Sequence, residues 1–321
     1  MNAGGDGVRR CWNMCLDKSD YFRRREVVDH YNRENRWKKK GLAITPVRFG
    51  IAFMKSYMNQ GGALVHIYTD GSVLVTHGGT EMGQGLHTKV IQMASETLKI
   101  PMSLIHISET ATNTVPNAMA TGASVSTDLY GLAVKVACEA LNKRLEPVKA
   151  KHPNAMWEEI IDAALRDGIS LSATGFYKMP GLGFDINTLK GSPFAYFTFG
   201  AACTELQIDC LTGDHKLLRT DLVMDVGDSV NSAIDVGQIE GAFTQGYGFL
   251  LLEDIKVTPD GAHLTRGPGN YKIPSFGNIA SEMNVYLVPD SPNPSGAFFS
   301  RVSFVGILIK LIDSSESEVM F

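Results

Sequence analysis

The chain has 321 residues, 44% apolar and 20% charged, with a formal net charge of −4 and a pI near 6.1. That length suits two or three ordinary domains or one large interleaved one, and the apolar share is enough for a real core rather than extended disorder. The mild acidity gives nucleic acid and anionic membranes no reason to bind. The scattered cysteines, Cys11, Cys15, Cys138, Cys203 and Cys210, read as reduced thiols rather than a disulfide frame.

In chain order, the first forty residues are polar, with helical character around 20–35 and one basic cluster at 36–40 (RWKKK) that reads as a solvated face. The opening MNAGGDGVRRCW lacks the apolar core of a signal peptide, so the expected compartment is the cytoplasm. Residues 63–68 and 72–76 are β-rich runs on either side of Asp70-Gly71, a hairpin signal. Residues 86–98 place Leu86, Val90, Ala94 and Leu98 on one helical face, and 104–108 reads as a strand. Helices are predicted over 129–149 and over 157–166, the second stopping at Gly168. A glycine-bearing loop at 180–191 precedes two long β runs, 194–209 and 216–225. Residues 239–252 then read as a buried helix, and 255–265 as a hairpin turning at Asp260-Gly261. Hairpins interspersed with helices, without a steady βαβ rhythm, predict an α+β fold of mixed sheets and packed helices. The longest apolar run, 302–312, is interrupted by Lys310 and falls far short of the roughly 20 residues a membrane-spanning helix needs.

Three segments carry chemistry. Residues 78–85 (GGTEMGQG) lie between a strand and a helix, where free backbone N–H groups and the helix dipole attract anions. No Gly-Lys-Ser/Thr follows and the third Rossmann glycine is missing, so a tight turn into a helix carries equal weight on spacing alone. Residues 121–128 (TGASVSTD) combine small side chains, which admit a ligand close to the backbone, with hydroxyl donors. A hydroxyl-rich helix cap is the alternative there. Residues 237–241 (GQIEG) open a helix in this reading, and Gln238 offers both donor and acceptor, or else a plain surface glutamine.

No segment pairs a nucleophile with a base, no cysteine run suits an iron–sulfur cluster, and no histidine spacing suits zinc, so no metal is expected by direct protein ligation. What the segments share is hydrogen-bond donation, which suits an anionic cofactor dense in heteroatoms.

The strings GGTEMGQGLHTK, ETATNTVPNAMATGASVSTD, CTELQIDCLTGDHKLLRTDLVMDVG, DVGQIEGAFTQG and TRGPGNYKIPSFG, in that order, resemble the C-terminal molybdopterin-binding region of the xanthine dehydrogenase and aldehyde oxidase family. The resemblance runs from about Cys11 to Ser300, and ITPVRFGIAF, GFYKMPGLGF and PFAYFTFG look more like the xanthine dehydrogenase branch. It implies the family's second molybdopterin-binding domain, with molybdenum–molybdopterin as cofactor. Gly83, Gln84, Thr121, Ala123, Ser124, Val125, Ser126 and Gln238 are the implied cofactor contacts, and Phe53 would sandwich a flat purine. Met54 stands where a small hydroxyl residue is expected.

In the full-length family, hypoxanthine and xanthine are hydroxylated towards urate with water, and electrons leave through iron–sulfur clusters and FAD to NAD. Those two carriers are not expected in this chain. The partners implied are a purine or aldehyde-like heterocyclic substrate and a homodimeric copy of the full-length protein, with no nucleic acid and no membrane. The family's general-base glutamate sits in a Gly-Glu-Pro-Pro-Leu string, and here Phe304-Val305 occupy its place. No catalytic residue is therefore assigned. The expected organisation is a helical, linking segment over 1–60, the molybdopterin-binding domain over 61–300 (as one domain or two interleaved subdomains) and a divergent tail over 301–321. The chain is expected to be a truncated part of a hydroxylase, inactive alone. The alternatives are a non-catalytic isoform that binds cofactor or full-length subunits, and an aldehyde oxidase fragment.

Overall fold

A computed structural model describes residues 5–291. The tail over 301–321 and the position of Val305 lie outside the described residues.

Two four-stranded sheets organise the described residues, so the α+β reading holds. One contains β2 (Gln60–Ile67), β3 (Val73–His77), β4 (Ile105–Ile107) and β5 (Ser172–Lys178), in the order β4-β3-β2-β5. Every second residue of β2 is buried, as period-2 alternation requires of a sheet with one covered face. The β2–β3 turn forms at Asp70-Gly71, where Asp70 Oδ1 accepts the Ser72 amide and Gly71 takes φ +82°. Helices α3 (Leu86–Leu98), α4 (Leu132–Lys151) and α5 (Trp157–Arg166) cover this sheet. Val65, Val75, Val90, Leu141 and Ile161 are fully buried between the layers. A Cβ on Gly175 would stand 1.9 Å from the Ala133 carbonyl oxygen, so only glycine lets β5 approach α4 this closely.

The other sheet runs β1-β8-β9-β10, from β1 (Lys38–Ile51), β8 (Tyr196–Asp209), β9 (His215–Asp225) and β10 (Glu282–Leu287). Its core with α6 (Ser232–Leu251) is built on Leu222, Met224, Ile239 and Phe243. Helices α1 (Gly5–Lys18) and α2 (Tyr21–Glu34) contribute to a further cluster in which Cys11, Cys15 and Cys203 are fully buried. Burial pushes the Cys11 thiol up to about 12, so it stays protonated. Arg24 of α2 is buried between Glu205, at 2.9 Å, and Asp221, at 2.9 Å. From the basic cluster, Lys40 pairs with the same Glu205 and lies over the Tyr31 ring.

Several elements differ from the sequence reading. Strand β1 was not anticipated, because Gly41 and Pro46 interrupt its pattern; as an edge strand it accommodates a proline that would break a ladder inside the sheet. Helix α1 and strand β5 were also not anticipated, and the 180–191 loop contains a small hairpin, β6 (Gly183–Asp185) with β7 (Lys190–Ser192). The hairpin expected over 255–265 is reduced to a single bridge, Val257 with His263. Helix α6 begins at Ser232, seven residues before the expected start, because Asn231 caps it by accepting the Ile234 amide at 3.1 Å.

Candidate cofactor site

Residues 78–85 leave β3 at His77 and enter α3 at Leu86. His77 is fully buried, and its Nδ1 accepts the Gly79 amide at 3.1 Å. Its proton therefore sits on Nε2, which donates to His87 Nδ1 at 2.9 Å. Burial, with His87 adding to it, pulls the His77 pKa down to about 4 and keeps the ring neutral.

Glu81 closes the loop on itself. Its Oε1 accepts the Gly83 and Gly85 amides at 2.9 and 3.0 Å, and its Oε2 accepts the His87 amide at 2.9 Å. Burial pushes this carboxyl up, but the amides of His87, Gly85 and Gly83 together outweigh it and hold it below its ordinary value. The expectation of free N–H groups here is corrected: three amides at this helix entrance already serve an anion, and that anion is the chain's own. Gln84 also turns inward, its Oε1 accepting the Met82 amide at 2.6 Å and its Nε2 donating to the Thr80 carbonyl at 2.8 Å.

The 121–126 segment is built the other way. Ala123 and Ser124 have φ values of +51° and +55°, two consecutive left-handed residues without glycine. Such residues cost about 1–2 kcal/mol each and persist where the surroundings or a ligand require them. Among the described residues, the Ala123 and Ser124 amides and the Ser124 and Ser126 hydroxyls meet no hydrogen-bond acceptor. Val125 anchors the segment from below, fully buried against Ile51, Leu129 and Met179. Thr121 Oγ1 accepts the Thr80 amide at 2.9 Å, tying this segment to the glycine loop. Its own hydroxyl proton remains to donate.

Gln238 lies inside α6 rather than opening it, a second correction; its Nε2 donates to the Gly83 carbonyl at 3.3 Å. Gly83, Gln84, Thr121 and Gln238 are thus within one hydrogen-bonded neighbourhood. Phe53 joins it from β1's end: a Cβ on Gly122 would lie 3.5 Å from its ring. The Phe53 backbone is clamped at both N–H and C=O by buried Asn59, at 2.8 Å each. Met54 is 48% exposed beside it. A cavity of about 430 Å³ adjoins Ala123, lined also by Arg48, Phe49, Ala52, Phe194 and Phe197. The Arg48 guanidinium lies 3.7 Å over the Phe197 ring.

Sequence reasoning missed Glu81, His77 and the Arg48 cavity. The only signals were Glu81 within its glycine string and the aromatic density of 194–199. Among the described residues, no group of three or more His, Cys, Asp or Glu could hold a metal ion, and no helix is long and apolar enough to cross a membrane.

The profile of the molybdopterin cofactor-binding domain matches residues 14–280. The chain is 59% identical over 297 residues to xanthine dehydrogenase/oxidase of Felis catus, and 56% identical to that of Gallus gallus, covering 92% of this chain and 22% of each relative. It is 53% identical over 292 residues to aldehyde oxidase 2 of Macaca fascicularis, again 22% of that protein. The chain therefore spans about a fifth of the length of these relatives. Among solved structures, CO dehydrogenase from Oligotropha carboxidovorans superposes with a TM-score of 0.74 at 20% identity, over 88% of this chain and 38% of that one. The aldehyde oxidoreductase from Desulfovibrio desulfuricans gives 0.72 at 25% identity, over 90% and 30%.

Proposed function

This chain belongs to the family of molybdopterin cofactor-binding domains, and we propose from that premise that residues 121–126 form its principal cofactor contact within a xanthine dehydrogenase-like hydroxylase. The observation that carries this is the pair Ala123–Ser124, held left-handed with both amides meeting no acceptor among the described residues. Such a turned backbone fits a group dense in phosphate and ring heteroatoms. Thr121, Ser124 and Ser126 add hydroxyl donors, and Val125 fixes the segment from the core. Gln238 reaches the same neighbourhood through Gly83, and Gln84 contributes through the loop it braces.

When bound, molybdenum–molybdopterin supplies the oxygen-transfer and two-electron chemistry. The chain's own residues bind and orient. Phe53, braced by Asn59, offers a flat apolar face for a purine or a related heterocycle, and the neighbouring phenylalanines exclude water. Hydroxylation of hypoxanthine or xanthine, with electrons passing to iron–sulfur, FAD and NAD sites elsewhere in a dimeric, cytoplasmic enzyme, is the activity of the whole protein under this reading. For this chain alone we propose no turnover, since Val305 stands where the family's general base is expected. That residue also favours a non-catalytic, cofactor-binding isoform as the second reading. The 53% identity to an aldehyde oxidase keeps aldehydes among the candidate substrates.

Expression of residues 1–321 in a host that makes the cofactor tests both parts. Molybdenum and pterin should co-purify, with no urate formed from xanthine. Absence of both would overturn the cofactor assignment, and xanthine turnover would overturn the inactivity.

A further inference from the structure

Beneath the three site segments lies a buried charge. Lys89, on the first turn of α3, is 4% exposed and pairs at 3.0 Å with Asp235, which is fully buried on the first turn of α6. Ser229 Oγ donates to the other Asp235 oxygen at 2.6 Å. Asp128, also buried, acts electrostatically on the same ammonium and accepts the Tyr196 hydroxyl at 2.6 Å.

The placement matters because each partner belongs to a different site segment. Lys89 follows the glycine loop by four residues, Asp128 closes the 121–128 segment, and Asp235 precedes Gln238 by three. Lys89 and Asp235 are 146 residues apart in the chain. Asp128 and Tyr196 likewise join one half of the fold to the other, since Tyr196 begins β8. A buried ammonium tolerates few arrangements, because separating it from the Asp235 carboxylate would leave an uncompensated charge in the interior, at a large desolvation cost.

We propose that Lys89 is a positioning residue that sets the glycine loop, the 121–128 segment and the start of α6 in register around one cofactor. The role in cofactor binding rests on the proposed function; the mechanical coupling does not. Lys89 touches neither cofactor nor substrate in this account. Its effect is transmitted through Asp235 to Gln238 and through Asp128 to the left-handed Ala123–Ser124 pair.

Hydrogen exchange on the 321-residue chain tests the coupling. In Lys89→Met, a change of similar length without charge, residues 79–88, 121–128 and 232–240 should exchange faster together, by roughly tenfold or more. Strand β1 and helices α1 and α2 should keep their wild-type rates. Lys89→Arg, which restores the charge, should recover protection in all three segments. Acceleration confined to 79–88, uniform acceleration throughout the chain, or no recovery with arginine would overturn the proposal. If Lys89→Met does not fold, Asp235→Asn replaces it: faster exchange at 79–88, far along the chain, is expected, and unchanged exchange there would overturn it. Molybdenum content of the same preparations is read separately. Coupled exchange without bound molybdenum would leave the positioning role intact and remove the cofactor assignment.

Discussion

The glycine loop at 78–85 and the hydroxyl segment at 121–126 look alike on paper. Each joins a loop to a helix, each is dense in small residues, and each has the composition of a ligand cradle. Their hydrogen bonding separates them. In the first, Glu81 occupies the Gly83, Gly85 and His87 amides and Gln84 braces the turn, so three donors at the helix entrance already have an acceptor within the chain. In the second, two left-handed residues hold their amides toward no acceptor among the described residues. The field at a helix entrance attracts an anion, but whether the anion is a ligand or a nearby side chain depends on what the chain supplies. The first segment turns its helix-entrance donors onto its own carboxylate; under the proposed function the second turns its donors to the cofactor.

Acid should weaken the first segment before the second. His77 has its pKa lowered from 6.5 to about 4 by burial, so between those values the unfolded chain takes up a proton that the folded chain refuses. Its contribution is complete above pH 6.5 and is lost as pH falls through the folded value, a swing of about 3 kcal/mol from this one group. Glu81, also depressed, acts in the same direction: its contribution is present above the ordinary carboxylate range and lost as pH falls through its lowered value. Urea unfolding at pH 7 and pH 4.5 should show the loss, and His77→Asn should flatten it. Equal slopes in the two proteins would remove His77 from the account.

A smaller effect should come from Glu81→Ala. Losing a partly exposed cap with three amide partners should cost about 1–2 kcal/mol. It should also convert the loop into an anion site, so that inorganic phosphate raises the melting temperature of the variant more than that of the wild type. An equal phosphate response in both would mean that Glu81 is not the occupant that matters.

The smallest change is expected at Ser124→Gly. Releasing a left-handed residue gains about 1–2 kcal/mol, and the entropy of glycine takes back about 0.5–1 kcal/mol, leaving a slight net stabilisation. Gly83→Ala, at φ +97° in the other segment, should instead destabilise. Chemical denaturation of both variants reads the contrast directly, and a destabilised Ser124→Gly would show that the conformation is not strained.

Much of the fold was legible because its signals are local. Alternating burial in β2, the single apolar face of α3 and the Asp70-Gly71 turn each depend on neighbours a few residues away. Strand β1 was hidden because its reason to exist is β8, whose register pairs Lys38 with Asp209 and Ile51 with Tyr196. The start of α6 was hidden by a cap at Asn231 lying outside the apolar pattern that marked the helix.

By itself, then, the sequence determined the mixed α+β class, the order of the three small-residue segments and the resemblance that points to molybdopterin. Tertiary structure alone decided which donors remain for a ligand. Glu81 had to fold back to satisfy the glycine-loop amides, and Lys89 had to meet Asp235 from the far side of the chain. Composition states how many donors a segment has; only packing states which are already taken, because a hydrogen bond is a relation between two places and a string shows them one at a time.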